Sequence, residues 1–190
     1  MIEFPAEPTI ETSRLTIRLV TQADLPALLE YNSDEAVTRY LPYGNWNGID
    51  DAQEWLGRAT TRLAAGEALQ FVAVLRETGH VVGSCLLFHF DESSRRAEVG
   101  YLLGRKHWGA GYMFEAMKAL VDFAFAQMNL RRLEAEIDPR NTSSAELLER
   151  LGFVQEGLLR QRWDLKGEVS DSGLYGLLRA DWNRRTQPQP

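Results

Sequence analysis

The chain has 190 residues, of which 44% are hydrophobic and 25% charged, the composition of one globular domain with a core of its own. Its net charge of −6 argues against a nucleic-acid-binding face, though not against a local basic groove for a small anion. No apolar run is long enough to cross a bilayer.

The opening "MIEFPAEPTIETSRL" lacks a basic segment followed by an apolar one, so no secretory signal is read and a cytoplasmic location is expected. "RLTIRLV" (14–20) alternates apolar and polar residues and reads as a strand. A short helix follows, with Thr21 or Asp24 as cap, Pro26 in its first turn and Leu25, Leu28 and Leu29 on one face. The loop "YLPYGNW" carries Tyr40, Tyr43 and Trp46, which form either a hydrophobic plug or a binding wall. A second helix begins near Asp50 or Asp51 and ends near Gly66. Residues 69–103 read as a meander of strands turning at "ETGH" and "DESSRR". The lone Cys85 lies within it, expected as a small buried residue of a protein from a reducing compartment.

"GYMFEAMKALVDFAFAQ" reads as a helix with Met113, Ala116, Met117, Leu120 and Ala124 on one stripe and Phe123 beside it. "LRRLEAEID" is a strand. "NTSSAELLERLGF" is a helix capped by Asn141 or Thr142 and stopped at Gly152. A hairpin turning near "LKGEVS" closes the chain. The fold class is α+β, a mixed central sheet with helices on both faces, whose strand–helix–strand unit requires one parallel pair. We assign residues 1–182 to a single domain and 183–190 to a polar tail.

"RKHWGAGYMFEA" places Gly109 and Gly111 between a strand and a helix. A helix N-terminus presents unbonded N–H groups and partial positive charge, and glycine lets a phosphate approach the backbone closely. Arg105, Lys106 and His107 precede the glycines and could add charge. A plain turn remains an equal reading of the stretch alone. A P-loop would need Lys and Ser or Thr after the second glycine, where the chain has Tyr112 and Met113. A dinucleotide fingerprint would need a third glycine, where it has Phe114. Kinase and hydrolase motifs and metal-ligand spacings are absent, so no metal is expected.

"RKHWGAGYMFEAMKAL" resembles the acetyl-CoA motif of the GNAT N-acetyltransferases, Arg/Gln-x-x-Gly-x-Gly/Ala, with Lys106, Gly109 and Gly111 in the three places. "ETSRLTIRLVTQADL" and the stretch from "RRLEAEIDPRNTSSAELLERLGF" to "SGLYGLL" resemble the Rim-type branch, which acetylates ribosomal-protein N-termini. The resemblance covers nearly the whole chain. It implies a mostly antiparallel sheet with a splayed parallel strand pair and acetyl-CoA as co-substrate. By resemblance, the backbone of Tyr101, Leu102 and Leu103 would pair with pantetheine. The N–H groups of Gly109, Ala110, Gly111 and Tyr112 would hold the pyrophosphate, and Asn141 would contact the cofactor arm as well as capping its helix.

The chemistry so implied is direct attack of a neutral amine on a thioester, which needs a proton acceptor and a donor for the leaving thiolate. The tyrosine that many relatives place seven residues after the asparagine is Leu148 here. The Rim-type serine three after it is Ser144, whose plainer role is capping. Glu98 is the expected base; the alternative is a strand carboxylate paired with Arg95, Arg96 or Arg132. Some Rim-type enzymes carry a base glutamate where this chain has Trp163, and alternation turns Asp164 away from that face. His89, on a neighbouring strand, has a pKa suited to proton relay but reads more simply as structural. The expected acceptor is a peptide or protein N-terminal amine, such as that of a ribosomal protein, walled by "YLPYGNW" and the closing hairpin. A small amine (polyamine, amino acid or antibiotic) is the alternative, and a non-catalytic acyl-CoA sensor is the alternative of another class. No direct nucleic-acid or membrane partner is expected, and a homodimer stays open.

Overall fold

A computed structural model describes residues 2, 4, 5 and 7–186. The strands are β1 (Thr9–Glu11), β2 (Leu15–Leu19), β3 (Ala68–Leu75), β4 (Val81–Asp91), β5 (Arg96–Leu103), β6 (Arg132–Ile137), β7 (Val154–Leu165) and β8 (Glu168–Leu178). The helices are α1 (Leu25–Asn32), α2 (Glu35–Thr38), α3 (Ile49–Ala64), α4 (Tyr112–Ala126), α5 (Thr142–Leu151) and α6 (Arg179–Thr186). The strands make one eight-stranded sheet in the order β1-β2-β3-β4-β5-β6-β8-β7. Each neighbouring pair is antiparallel except β5 with β6.

Alternation along the strands splits the core in two. Phe71, Ala73, Ala97, Val99, Leu133 and Ala135 face α4, α5 and α6. Val72, Val74, Val81 and Leu102 face α1 and α3. The stripe read on α4 is buried throughout, from Met113 to Ala124. Asn141 caps α5, and Gly152 ends it with φ 97°, in the left-handed region that favours glycine. Lys166 and Gly167, both at positive φ, form the two-residue turn between β7 and β8. Cys85 is fully buried, and burial pushes its thiol up to about 12, so it is an inert core residue.

The helix read after the first long strand is broken at Ser33–Asp34 into α1 and α2, and two elements escaped the sequence reading: β1 and α6. The last takes in residues 183–186, which the reading gave to the tail. It is fastened there by Trp182, whose indole donates to Asp122 at 2.6 Å, and by Arg185, which donates to the Arg150 carbonyl at 3.2 Å. Residues 187–190 of the expected tail lie outside the described residues.

Two features of the sheet matter most for function. β5 and β6 pair only through Arg96↔Arg132, Ala97↔Leu133 and Glu98↔Glu134, after which they part. β5 stays bonded to β4 as far as Leu103, and β6 to β8 as far as Ile137. At the closed end Arg96 reaches Glu134 on β6 at 2.6 Å, and Arg132 reaches the same carboxylate at 2.8 Å and also pairs with Glu156. Charge-assisted bonds thus gather where the strands still pair.

The second is a tie between the β1–β2 turn and the start of α4. Glu115, in the first turn of α4, accepts from Thr12 Oγ1 (2.7 Å), Ser13 Oγ (2.9 Å), the Arg14 amide (2.8 Å) and Arg14 Nε (2.6 Å). Burial would raise its pKa, but these donors outweigh burial and bring it down to about 2. A carboxylate held below its ordinary value stabilises the fold above that ordinary value, and the contribution fades as pH falls toward about 2. We expect Glu115→Gln to cost about 1.5–3 kcal/mol at neutral pH, the range of a charge-assisted hydrogen bond. Urea unfolding at about pH 7 and about pH 3 checks this: the gap between wild type and Glu115→Gln should shrink at the lower pH. An undiminished gap would remove the charge from the account.

Candidate active site

Where β5 and β6 part, a cleft of about 570 Å³ opens. Its lining includes Glu98, Gly100 and Leu102 from one face of β5 and Val99 and Tyr101 from the other, so the cleft passes through the sheet. α5 adds Ser144, and Asn141 just before it adds a second polar group. The expected residues Glu98, Tyr101, Leu102, Asn141 and Ser144 are thereby brought to one space. Leu103, Lys106 and Gly109–Tyr112 are not in its lining; they continue from the end of β5 into the turn before α4.

In that turn Gly109 and Gly111 have φ of 74° and 76°. Neither is crowded: a Cβ at Gly109 would meet nothing within 4 Å, and one at Gly111 only Arg14 Nη2 at 3.6 Å. The first helical bond of α4 runs from the Glu115 amide to the Gly111 carbonyl at 3.1 Å. The N–H groups of Tyr112, Met113 and Phe114 therefore have no intrahelical carbonyl to reach. Arg14 Nη1 holds the Ala110 carbonyl at 2.9 Å. In a trans peptide this turns the Gly111 N–H away from Arg14. The arrangement is an open, positively polarised cradle of backbone. Lys106, expected to lend charge, pairs instead with Glu30 at 2.5 Å, and Arg105 pairs with Asp34 at 2.8 Å. The two cations before the glycines fasten the turn to the α1–α2 segment.

Glu98 sits on the α1/α3 face of β5. Its partner is not Arg95, Arg96 or Arg132 but His89, whose Nδ1 lies 2.9 Å from its carboxylate. Burial raises the Glu98 pKa, and the hydrogen bond to His89 opposes the rise in part. His89 stands in an irregularity of β4, where the register with β5 slips between Phe88 and Asp91 and its own φ is 50°. The slip brings an exposed imidazole beside a carboxylate that is only 20% exposed.

On the opposite face the Tyr101 hydroxyl lies 2.6 Å from Ser144 Oγ. Ser144 donates its amide to Asn141 Oδ1 at 3.2 Å, so Asn141 does cap α5. Leu148 is fully buried and brings no polar group to the cleft. Trp163 lines the cleft and donates to Glu136 at 2.9 Å, with Arg162 3.6 Å from the same carboxylate. Glu136 was missed in the sequence. Its signal is the alternation of Arg132, Glu134 and Glu136 against Leu133, Ala135 and Ile137, which gives it the face of Glu98.

The loop aromatics divide between the two readings. Trp46 is buried against Trp55, with ring centroids 5.5 Å apart, as a plug; Tyr40 and Tyr43 line the cleft as a wall. The closing hairpin bridges to the end of α2, just before that loop, since Lys166 Nζ donates to the Thr38 carbonyl at 2.7 Å. Among the described residues, no cluster of His, Cys, Asp and Glu could hold a metal ion, and no helix is long and apolar enough to cross a membrane.

Comparisons with known proteins agree with this architecture. Residues 14–154 match the acetyltransferase (GNAT) domain family. An uncharacterized N-acetyltransferase, p20, of Bacillus licheniformis is 37% identical over 92% of this chain and 98% of its own. The ribosomal protein uS5-alanine N-acetyltransferase of Escherichia coli is 28% identical over 91% of this chain and 92% of its own. The spermidine N-acetyltransferase of Vibrio cholerae, solved with CoA and spermine, superposes with a TM-score of 0.80 over 90% of this chain and 98% of its own; at 21% identity that likeness is one of fold. A mostly antiparallel sheet with one parting parallel pair, a glycine cradle at the head of α4 and a match over most of the length place this chain in the GNAT family of N-acetyltransferases.

Proposed function

We propose that the chain transfers the acetyl group of acetyl-CoA to the N-terminal amine of a peptide or protein, a ribosomal protein being the class suggested by the uS5-alanine N-acetyltransferase. The co-substrate fits the residues present. The Gly109–Tyr112 cradle suits a pyrophosphate, with space where side chains would otherwise intrude. The β5 edge at Tyr101–Leu103 has parted from β6 and can bond an extended arm. Asn141 Oδ1 is used in capping, which leaves its Nδ2 for that arm. Lys106 would reach a phosphate only by leaving Glu30. Acetyl-CoA supplies an acetyl group activated as a thioester.

The residues of this chain divide the proton work between the two faces of the sheet. Glu98, raised by burial, accepts the proton of the incoming ammonium, directly or through water. Ser144, across the gap, donates a hydrogen bond to the departing sulfur. Glu136 stands on the same face as Glu98 but is already taken by Trp163 and Arg162, which favours Glu98 as the base.

One observation carries the choice of a peptide over a polyamine. The cleft lining holds Arg39, Arg140, Arg162 and Lys166 as well as Glu98, Glu136, Asp138 and Glu168. Arg140 is paired with Asp138 and Glu168 and Arg162 with Glu136, so the wall carries little net negative charge to hold a polycation, whereas a peptide needs to offer only one amine to Glu98. An acetylation assay across peptides with varied N-termini and a set of polyamines, amino acids and aminoglycosides tests this. Turnover confined to the small amines would overturn the peptide reading, and calorimetric binding of acetyl-CoA with no CoA released for any acceptor would favour the sensor.

Two variants test the site itself. Glu98→Gln should lower kcat by about a hundredfold, the lower end of a general base's contribution. Gly111→Val should weaken acetyl-CoA binding by about tenfold or more, roughly 1.4 kcal/mol, read by calorimetry. Gly79→Val is the control, because Gly79 has the same kind of φ (72°) and open surroundings but lies in the β3–β4 turn. Equal affinity in the two variants would show that only backbone strain was sampled.

A further inference from the structure

Tyr101 comes from β5 and Ser144 from the first turn of α5, and their hydroxyls meet in the gap between the sheet and that helix at 2.6 Å. Both residues line the cleft. The phenol has one proton, and among the described residues the acceptors within its reach both belong to Ser144: Oγ at 2.6 Å and the backbone carbonyl at 3.3 Å. Burial pushes the phenol up to about 12, so it remains protonated and able to donate. The Ser144 amide is engaged by Asn141, and the single phenol proton goes either to Oγ or, at longer range, to the Ser144 carbonyl.

A serine hydroxyl in a helix turns easily and tends to bond back to a carbonyl of the preceding turn. A serine meant to meet a sulfur needs its proton directed elsewhere. We propose that Tyr101 is a positioning residue for Ser144: its phenol donates to Ser144 Oγ and so turns the serine's own proton into the gap, toward the thioester sulfur. The two bonds then run in one direction, from Tyr101 to Ser144 and from Ser144 to the sulfur. Each strengthens the next, since an oxygen that accepts becomes a better donor. No proton leaves Tyr101, and no bond to it forms or breaks. The inference rests on the reading of Ser144 as the donor to the departing thiol.

The opposite polarity has Ser144 donating to the phenol and the phenol donating to the Ser144 carbonyl. In that arrangement the serine's proton is withheld from the cleft, and removing the phenol would release it. The two polarities therefore differ in the sign of what Tyr101→Phe does.

The test is a double-mutant cycle of Tyr101→Phe and Ser144→Ala, with steady-state kcat and KM for acetyl-CoA and calorimetric binding of coenzyme A to confirm a folded site. We expect Tyr101→Phe to lower kcat by about tenfold, the worth of one hydrogen bond, with KM for acetyl-CoA changed by less than about twofold. Ser144→Ala should lower kcat further, and the double variant should be no slower than Ser144→Ala alone. Unchanged or faster turnover in Tyr101→Phe, with Ser144→Ala still impaired, overturns the inference and leaves the role of Ser144 standing. A Tyr101→Phe loss that persists in the Ser144→Ala background overturns it too, because Tyr101 would then act by another route. Full turnover in Ser144→Ala removes Ser144 from the chemistry, and the inference falls with it.

Discussion

The structure depends on a stretch of sheet that is left unmade. β5 and β6 pair over three residues and then part, although both go on as strands bonded to their other neighbours. Backbone donors and acceptors removed from both water and partners are costly, so a sheet does not part for nothing. Here the parting is bounded on each side. The Arg96–Glu134–Arg132–Glu156 network gathers at the closed end, and α5 stands with its N-terminus at the open one. Fold and site are thus one feature, since the walls of the cleft are the edges of the sheet that failed to close.

Alternation along β5 then assigns the chemistry to sides. Glu98 and Tyr101 are three residues apart, so their side chains leave the strand on opposite faces. Glu98 meets His89 on β4, and Tyr101 meets Ser144 on α5. A carboxylate raised by burial and a hydroxyl pair are thereby held near each other without being able to neutralise each other. The walls carry charge of both signs, and much of it is paired: Arg140 with Asp138 and Glu168, and Arg162 with Glu136.

Much of this was legible in the sequence where it depends on local periodicity. The stripe of α4, the cap and stop of α5, the glycine turn and the closing hairpin all follow from residues close in the chain. The short elements were not legible: β1 has three residues, too few for a period to declare itself, and α2, with four, did not stand apart from α1. The end of α6 looked like a polar tail because its anchors, Trp182 on Asp122 and Arg185 on the Arg150 carbonyl, join positions far apart in the chain. The site was legible in its members more than in its partnerships. Glu98 could be named, but its pairing with His89 depends on a slip of register that no pattern announces. Lys106 could be named beside the glycines, yet its ammonium went to Glu30, across a fold the local sequence does not specify. The Tyr101–Ser144 contact spans 43 positions and needed the packing of α5 against β5 to appear.

A gap that runs through a sheet has two mouths. Here the lining takes Glu98, Gly100 and Leu102 from the α1–α3 side of β5 and Val99 and Tyr101 from the side where α5 packs. Traffic through one mouth need not wait for the other to clear. A pocket with a single entrance imposes an order on arrival and departure and commonly needs a lid to enforce it. A cleft lined from both faces of one strand instead has a wall for a ligand on either side, and the two walls meet where the strands part.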